Sequence, residues 1–411
     1  MSWGGGRLCP MSSQLRQAMA ARVERGEFPG LLALVARGDD VLVETAGVTE
    51  FGGAVPIRRD TPFHITSMTK PVLAAVTMML AEDDVLDLEQ PVAHFLPELA
   101  GQRVLARPDA PLDQTLPLVR PVTVEDLLTF TLGFGSLIGP DGAVDPSFPV
   151  VRAWRDLGLQ LAEPEPRSTL EPDEWIRRFG SLPLIHQPGE AWMYNAGTLV
   201  LGVLLARAAG RPLGDLLHER VFSPLGMSST GFWLPAERMA QVPPHYLGDG
   251  SGHPVRQTGE PLEAWTRPPV FPSGSAGLLS TADDYLAFAR MLLRGGVHGG
   301  TRLMSEKSVA AMTTNHLSPE QIEGGGFFLG GSGWGYGLAV TVRADEISGP
   351  GRYGWAGGYG TDWFTDPHEG LIFIVLSQVS DLLWNGALTE FGRLAYGAVD
   401  APARGRPGEA R

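Results

Sequence analysis

Apolar and polar positions alternate along this chain in patterns that predict most of its elements. Residues 12–26 mix apolar and charged positions at helical spacing, with Leu15, Met19 and Val23 on one face, and predict a surface helix. Two short apolar runs follow, Leu31 to Ala36 and Val41 to Ala46, and the Gly38-Asp39-Asp40 turn between them makes a hairpin. The run from Pro71 to Ala81 is apolar nearly all round, which predicts a helix buried on every side. If that helix begins near Ser67, Pro71 falls in its first turn, where a missing N–H is least harmful. A second buried helix is expected over Gly197 to Ala209, closed by Gly210-Arg211-Pro212.

Pro-rich stretches at 106–121 and 139–173 interrupt these helices and are expected to line a cleft or lie exposed. After a loop at 245–272, Ser280 or Thr281 caps a helix whose core face carries Tyr285, Phe288 and Leu292. Strands are predicted at Tyr336 to Val342, Gly351 to Ala356, Thr361 to Thr365 and Leu371 to Gln378, then a final helix from about Leu382 to Val399. This order, hairpin, long helical block, strands, helix, predicts an α/β (α+β) fold: an antiparallel sheet made from both chain ends, flanked by helices, with a mainly helical domain inserted. One catalytic domain is expected over 12–398. Its α/β part would take about 12–66 and 273–398 and its helical part about 67–272, with 1–11 and 400–411 as disordered tails.

Composition narrows the function. With 411 residues, 43% of them apolar, the chain is long enough to bury a large core. A formal charge of −14 and the absence of any basic run argue against nucleic acid or an anionic membrane as partner. The single Cys9 excludes an intramolecular disulfide framework and a cysteine metal cluster. No His-Glu-x-x-His pair, Gly-x-x-x-x-Gly-Lys loop or Gly-x-Ser-x-Gly elbow occurs, so no metal or other cofactor is expected. The first residues lack the apolar stretch of a secretory signal, and no run is long enough to span a bilayer, so a cytoplasmic location is the expectation. Oligomeric state is not legible.

Lysine is almost absent. Only Lys70 and Lys307 occur, every other basic side chain apart from histidine being arginine. A genome that favours arginine would leave such survivors, and Lys307 fits that account. Lys70 stands three residues after Ser67, in His64-Ile65-Thr66-Ser67-Met68-Thr69-Lys70, and a desolvated lysine can give up its proton where arginine cannot. On a helix starting near Ser67 the two side chains share a face one turn apart, so Lys70 reads as the base that activates a Ser67 nucleophile. The helix N-terminus disfavours the ammonium form, and its free N–H groups are placed to stabilise an oxyanion at Ser67. Such chemistry needs a second proton-handling group. Tyr194, in Trp192-Met193-Tyr194-Asn195 at the entrance of the second buried helix, is the candidate, although packing alone would also explain it.

Four blocks now stand in order along the chain: Ser67-Met68-Thr69-Lys70-Pro71; Pro188-Gly189-Glu190 through Tyr194 to Leu201-Gly202; Gly274-Ser275-Ala276-Gly277 through Tyr285; and Trp355-Ala356-Gly357-Gly358-Tyr359-Gly360-Thr361 with Asp366-Pro367. With these the chain resembles the serine β-lactamase and penicillin-binding-protein superfamily, in its class C-like branch with the family VIII carboxylesterases and related acyltransferases. The resemblance implies acylation of Ser67, proton transfers shared by Lys70 and Tyr194, an oxyanion hole from the backbone N–H groups of Ser67 and Gly358, and an edge strand beside the nucleophile formed by the third block. It also places Trp355, Ala356, Gly357, Asn195 and Phe130 at the substrate.

The chain departs from the family pattern in three places. Trp355-Ala356-Gly357 replaces Lys-Thr-Gly or His-Thr-Gly, which removes the cation and hydroxyl that would hold a β-lactam carboxylate. Asn195 falls one place early in Tyr-x-Asn, with Ala196 at the last position. Phe130 and Leu132 stand where relatives often carry His and Ser. These changes imply a serine carboxylesterase acting on a small-molecule ester or amide, with short neutral esters favoured. An acyltransferase, a β-lactamase or D-amino-acid peptidase, and a non-catalytic binding protein are the alternatives.

Overall fold

The computed structural model describes residues 10–138, 144–161, 168–248, 253–257 and 261–398. Its frame is a seven-stranded antiparallel sheet in the order Gly333–Trp334, Ala339–Val340, Tyr353–Gly357, Thr361–Asp366, Leu371–Leu376, Gly30–Arg37, Asp40–Gly47. The hairpin from the start of the chain therefore joins the last strand, with Leu34 opposite Ile374. Arg37 pairs with Asp40 across the turn, where Gly38 adopts the left-handed φ of 60° that such a tight connection requires.

Gly30–Arg37 and Leu371–Leu376 are buried at every position, so both faces of the sheet are covered. Side-chain alternation sorts them. Leu32, Leu34, Ile372 and Ile374 enter the main core with the central helices, whereas Leu31, Val35, Phe373 and Val375 pack with Leu15, Met19, Phe391 and Ala395 of the two terminal helices. Those helices are Pro10–Glu24 and Ala387–Ala398.

The helix Thr69–Glu82 is buried continuously from Thr69 to Leu80, and Ala196–Ala209 from Ala196 to Leu205, as their all-round apolar sequences predict. Each fully buried valine or leucine here contributes about 1.5–3 kcal/mol. Gly210 closes the second helix in the left-handed conformation. A Cβ at Gly274 would strike the Leu73 side chain and the Thr198 carbonyl, so only glycine lets the 274–277 loop wedge between the two helices. No single helix among the described residues is long and apolar enough to cross a membrane.

Several boundaries differ from expectation. The single strand expected over 336–342 is two short ones, 333–334 and 339–340, because Gly335 and Gly337 interrupt it and Gly337 turns at φ 71° against the backbone of Lys70. The final helix starts at Ala387 rather than near Leu382, after a 3-10 turn at Ser380–Leu383. The third sequence block does not form an edge strand of the main sheet. Its Leu279–Ser280 pairs with Phe63–His64 and, through a bridge at Leu279, with Gly231, and the main-sheet strand that reaches the nucleophile turn is Tyr353–Gly357, an interior strand. Short helices Pro319–Gly324 and Gly326–Leu329 form around the glycines at 324–326, where the sequence predicts no element. The segments 1–9, 139–143, 162–167 and 399–411 lie outside the described residues.

Candidate active site

Ser67 sits in a 3-10 turn, Thr66–Met68, that leads directly into the buried helix at Thr69. Three contacts fix this turn from outside. The Ile65 N–H donates to the Leu278 carbonyl at 3.0 Å, the Tyr285 hydroxyl donates to the Met68 carbonyl at 2.9 Å, and the Thr361 hydroxyl donates to the Ile65 carbonyl at 3.2 Å. Thr66 itself holds a φ of 41°, and its buried hydroxyl has no hydrogen-bond partner among the described residues. Left-handed backbone at a threonine costs on the order of 1–3 kcal/mol, and the surrounding contacts hold it in place.

The helix brings Lys70 beneath the serine. Its Nζ lies 2.8 Å from Ser67 Oγ and donates to the Ser275 carbonyl at 2.8 Å. The wedge of the 274–277 loop puts that carbonyl there. The side chain is 0% exposed, and burial pushes the ammonium well below the ordinary lysine range. Tyr194 stands beside the amine, its hydroxyl donating to Ser67 Oγ at 2.8 Å and its ring 4.6 Å from Lys70 Nζ. Burial raises the phenol to about 12, against the opposing pull of hydrogen bonds to Ser67 and Trp355. The two groups are thus driven apart in character: an amine that loses its proton easily and a phenol that keeps it.

The structure brings Ser67, Lys70, Tyr194 and Trp355 together. Trp355 does more than wall the cleft, because its indole N–H donates to the Tyr194 oxygen at 3.1 Å. Gly357 lies against the serine turn: a Cβ there would collide with the Ile65 carbonyl and the Thr66 and Thr361 hydroxyls. Gly358 follows in the turn 358–360, and its carbonyl accepts from the Ser380 hydroxyl at 2.7 Å. His245 Nε2 is 2.8 Å from the Ser380 oxygen and its ring stacks on Tyr359 at 3.8 Å. Since the Gly358 carbonyl can only accept, Ser380 gives it the hydroxyl proton, and His245 donates to Ser380 through Nε2–H. Burial lowers His245 to about 4, so the ring is neutral. Ala356 is half-buried on the same strand.

Two expectations need correction. Asn195 does not face the cleft; it is buried, and its side-chain oxygen accepts from the Ser275 hydroxyl, so it holds the residue whose carbonyl receives Lys70. Phe130 is also withdrawn, at 1% exposure. Its left-handed φ of 60° turns the ring under Tyr194, Trp192 and Trp334, at 5.8, 5.9 and 4.7 Å between centroids. Phe328 is the residue that sequence reasoning missed: it stacks on Tyr194 at 4.5 Å and 28° from the short helix Gly326–Leu329. Among the described residues no group of three or more His, Cys, Asp or Glu side chains is placed to hold a metal ion.

The model of the Beta-lactamase family matches residues 15–392. The chain belongs to this β-lactamase family. Protein Rv1367c of Mycobacterium tuberculosis is 36% identical over 367 residues, covering 86% of this chain and 87% of that protein. Esterase EstB of Burkholderia gladioli is 30% identical over 383 residues, 88% of each chain. Among solved structures, EstCE1, described as a hydrolase with promiscuous acyltransferase activity, superposes with a TM-score of 0.78 at 22% identity, over 94% of this chain and 98% of that one. The β-lactamase/transpeptidase-like fold, a serine-hydrolase-type fold, is thereby shown.

Proposed function

We propose that this β-lactamase-family chain is a serine carboxylesterase that hydrolyses short neutral esters through an acyl-enzyme on Ser67. The observation that carries the reading is the Ser67 oxygen set 2.8 Å from both a buried amine and a phenol whose proton affinities are shifted in opposite senses. Neutral Lys70 takes the hydroxyl proton as Ser67 Oγ attacks the ester carbonyl, and the backbone N–H groups of Ser67 and Gly358 receive the oxyanion. As the carbonyl re-forms, the ester C–O bond breaks and Tyr194 gives its proton to the departing alkoxide. The Lys70 ammonium then returns a proton to the phenolate. In the second half the same pair takes a proton from water as its oxygen attacks the acyl carbonyl, the acyl–Oγ bond breaks, and that proton passes to Ser67 Oγ as the acid leaves.

Similarity to EstB supports the ester as substrate, and the placement of Trp355 where β-lactamases carry a cation supports a neutral one. Intact-protein mass spectrometry after a panel of p-nitrophenyl esters and a chromogenic cephalosporin tests the reading. An acyl adduct on Ser67 with esters, absent in Ser67→Ala, is expected. Ser67→Ala retaining a tenth of the esterase activity would refute it. Adding an alcohol acceptor to the same assay measures how much acyl group is transferred rather than hydrolysed.

A further inference from the structure

Phe327 and Trp384 are exposed at 65% and 58%, and although they come from distant parts of the chain their rings stack at 5.5 Å and 28°. Each is tied to a different wall of the site. Phe327 neighbours Phe328 at 5.6 Å, Phe328 stacks on Tyr194, and Tyr194 reaches Ser67. Trp384 follows the 3-10 turn whose Ser380 holds the Gly358 carbonyl. The pair therefore links the segment whose Phe328 stacks on Tyr194 to the segment that holds the Gly358 carbonyl, and the serine these two segments serve is itself only 9% exposed.

We propose that Phe328, Phe327 and Trp384 form the subsite for the alcohol portion of the ester and select flat apolar alcohols, aryl groups above all. This rests on the reading of Ser67 and Tyr194 given above. If Tyr194 protonates the departing oxygen, that oxygen lies within hydrogen-bond reach of the phenol, and the group attached to it continues past the Tyr194 ring towards solvent. The faces it meets are Phe328 and then the Phe327–Trp384 pair. A ring among them gains stacked aromatic contact at little entropic cost, because the platform is already assembled. The segments that carry it, 318–332 and 380–386, contain Glu320, Glu323 and Asp381 and no basic residue, so a carboxylate on the alcohol side is disfavoured.

The test compares naphthyl acetate with trifluoroethyl acetate on the full chain and on Trp384→Ala, Phe327→Ala and Trp384→Phe. Both esters give the same acetyl-enzyme, and kcat/KM reads only the steps up to acylation, so the ratio of the two values isolates recognition of the alcohol. The ratio is expected to fall about five- to tenfold in each alanine variant, and Trp384→Phe to recover most of the loss. An unchanged ratio in both alanine variants overturns the subsite, as does a loss that Trp384→Phe fails to restore. Mass spectrometry of the wild type separates the two levels. An acetyl adduct on Ser67 with an unchanged ratio leaves the esterase reading standing and removes the subsite, whereas absence of an adduct on Ser67 removes the underlying reading.

Discussion

Trp355→Phe keeps an aromatic ring against Trp334 and removes one N–H, the donor to the Tyr194 oxygen at 3.1 Å. In the resting site that bond joins two neutral groups and is worth about 0.5–1.5 kcal/mol net. When Tyr194 passes its proton to the leaving group the same bond meets a phenolate, and a charge-assisted hydrogen bond is worth about 1.5–3 kcal/mol. Only the difference between the two states accelerates the reaction. That difference, about 1–1.5 kcal/mol, corresponds to roughly a tenfold lower acylation rate, since each 1.36 kcal/mol is a decade. The phenol, already raised to about 12, would rise further in the variant. Quenched-flow release of ethanol from ethyl butyrate, whose alkoxide is basic enough to need the Tyr194 proton, measures the acylation rate, and thermal unfolding confirms that the smaller ring has not loosened the fold. A rate within twofold of wild type, or a loss confined to KM, would refute the role given to the indole N–H.

Lys70→Arg keeps a positive charge but not a removable proton, and a loss on the order of 10²-fold or more in kcat/KM is expected. In the wild type, kcat/KM should rise with pH as the amine deprotonates and level off below the ordinary lysine value of 10.5, because burial lowers Lys70; near-normal activity of the arginine variant, or a limb centred at 10.5, would contradict this. Trp355→Lys should shift the ratio of cephalosporin to ester hydrolysis upward by about one to two decades by supplying the missing cation. A wild type that cleaves a cephalosporin as well as its best short ester would show that another cation holds the carboxylate. His245 tests stability rather than rate. Its folded pKa of about 4 lies below the 6.5 of a free histidine, so the unfolded chain binds the extra proton first and stability is lost as pH falls from about 6.5 to 4, by about 3 kcal/mol. His245→Gln keeps a neutral donor to Ser380 and should flatten that part of the unfolding curve; an identical pH dependence in the two proteins would place the ring's proton elsewhere.

Local pattern made the central pieces legible. An apolar run as long as Pro71 to Ala81 exceeds the usual buried strand and reads as a helix buried on every side, so Thr69–Glu82 is readable from sequence, and the three-residue step from Ser67 to Lys70 then fixes their common face. Tyr194 was readable for a similar reason, as the residue at the mouth of the second such helix. What escaped depends on contacts between segments that sequence does not join. Asn195 looked like a cleft residue because nothing in its neighbourhood announces Ser275, eighty positions away, as its partner. Phe130 looked like a wall residue because spacing carries no sign of the left-handed φ that turns it inward. The glycines around Phe327 and Phe328 give no helical signal, since glycine disfavours helix, yet they bracket a short helix whose two rings meet Tyr194 on one side and Trp384 on the other. The division follows from the chemistry. Bond-making groups must lie within about 3 Å of one another, and a single helical turn achieves this for two of them, whereas the surfaces that choose a substrate are assembled from several loops at distances no local rule sets. The proposed alcohol subsite is a case in point, since the contact between residues 327 and 384 joins two segments that no local pattern links.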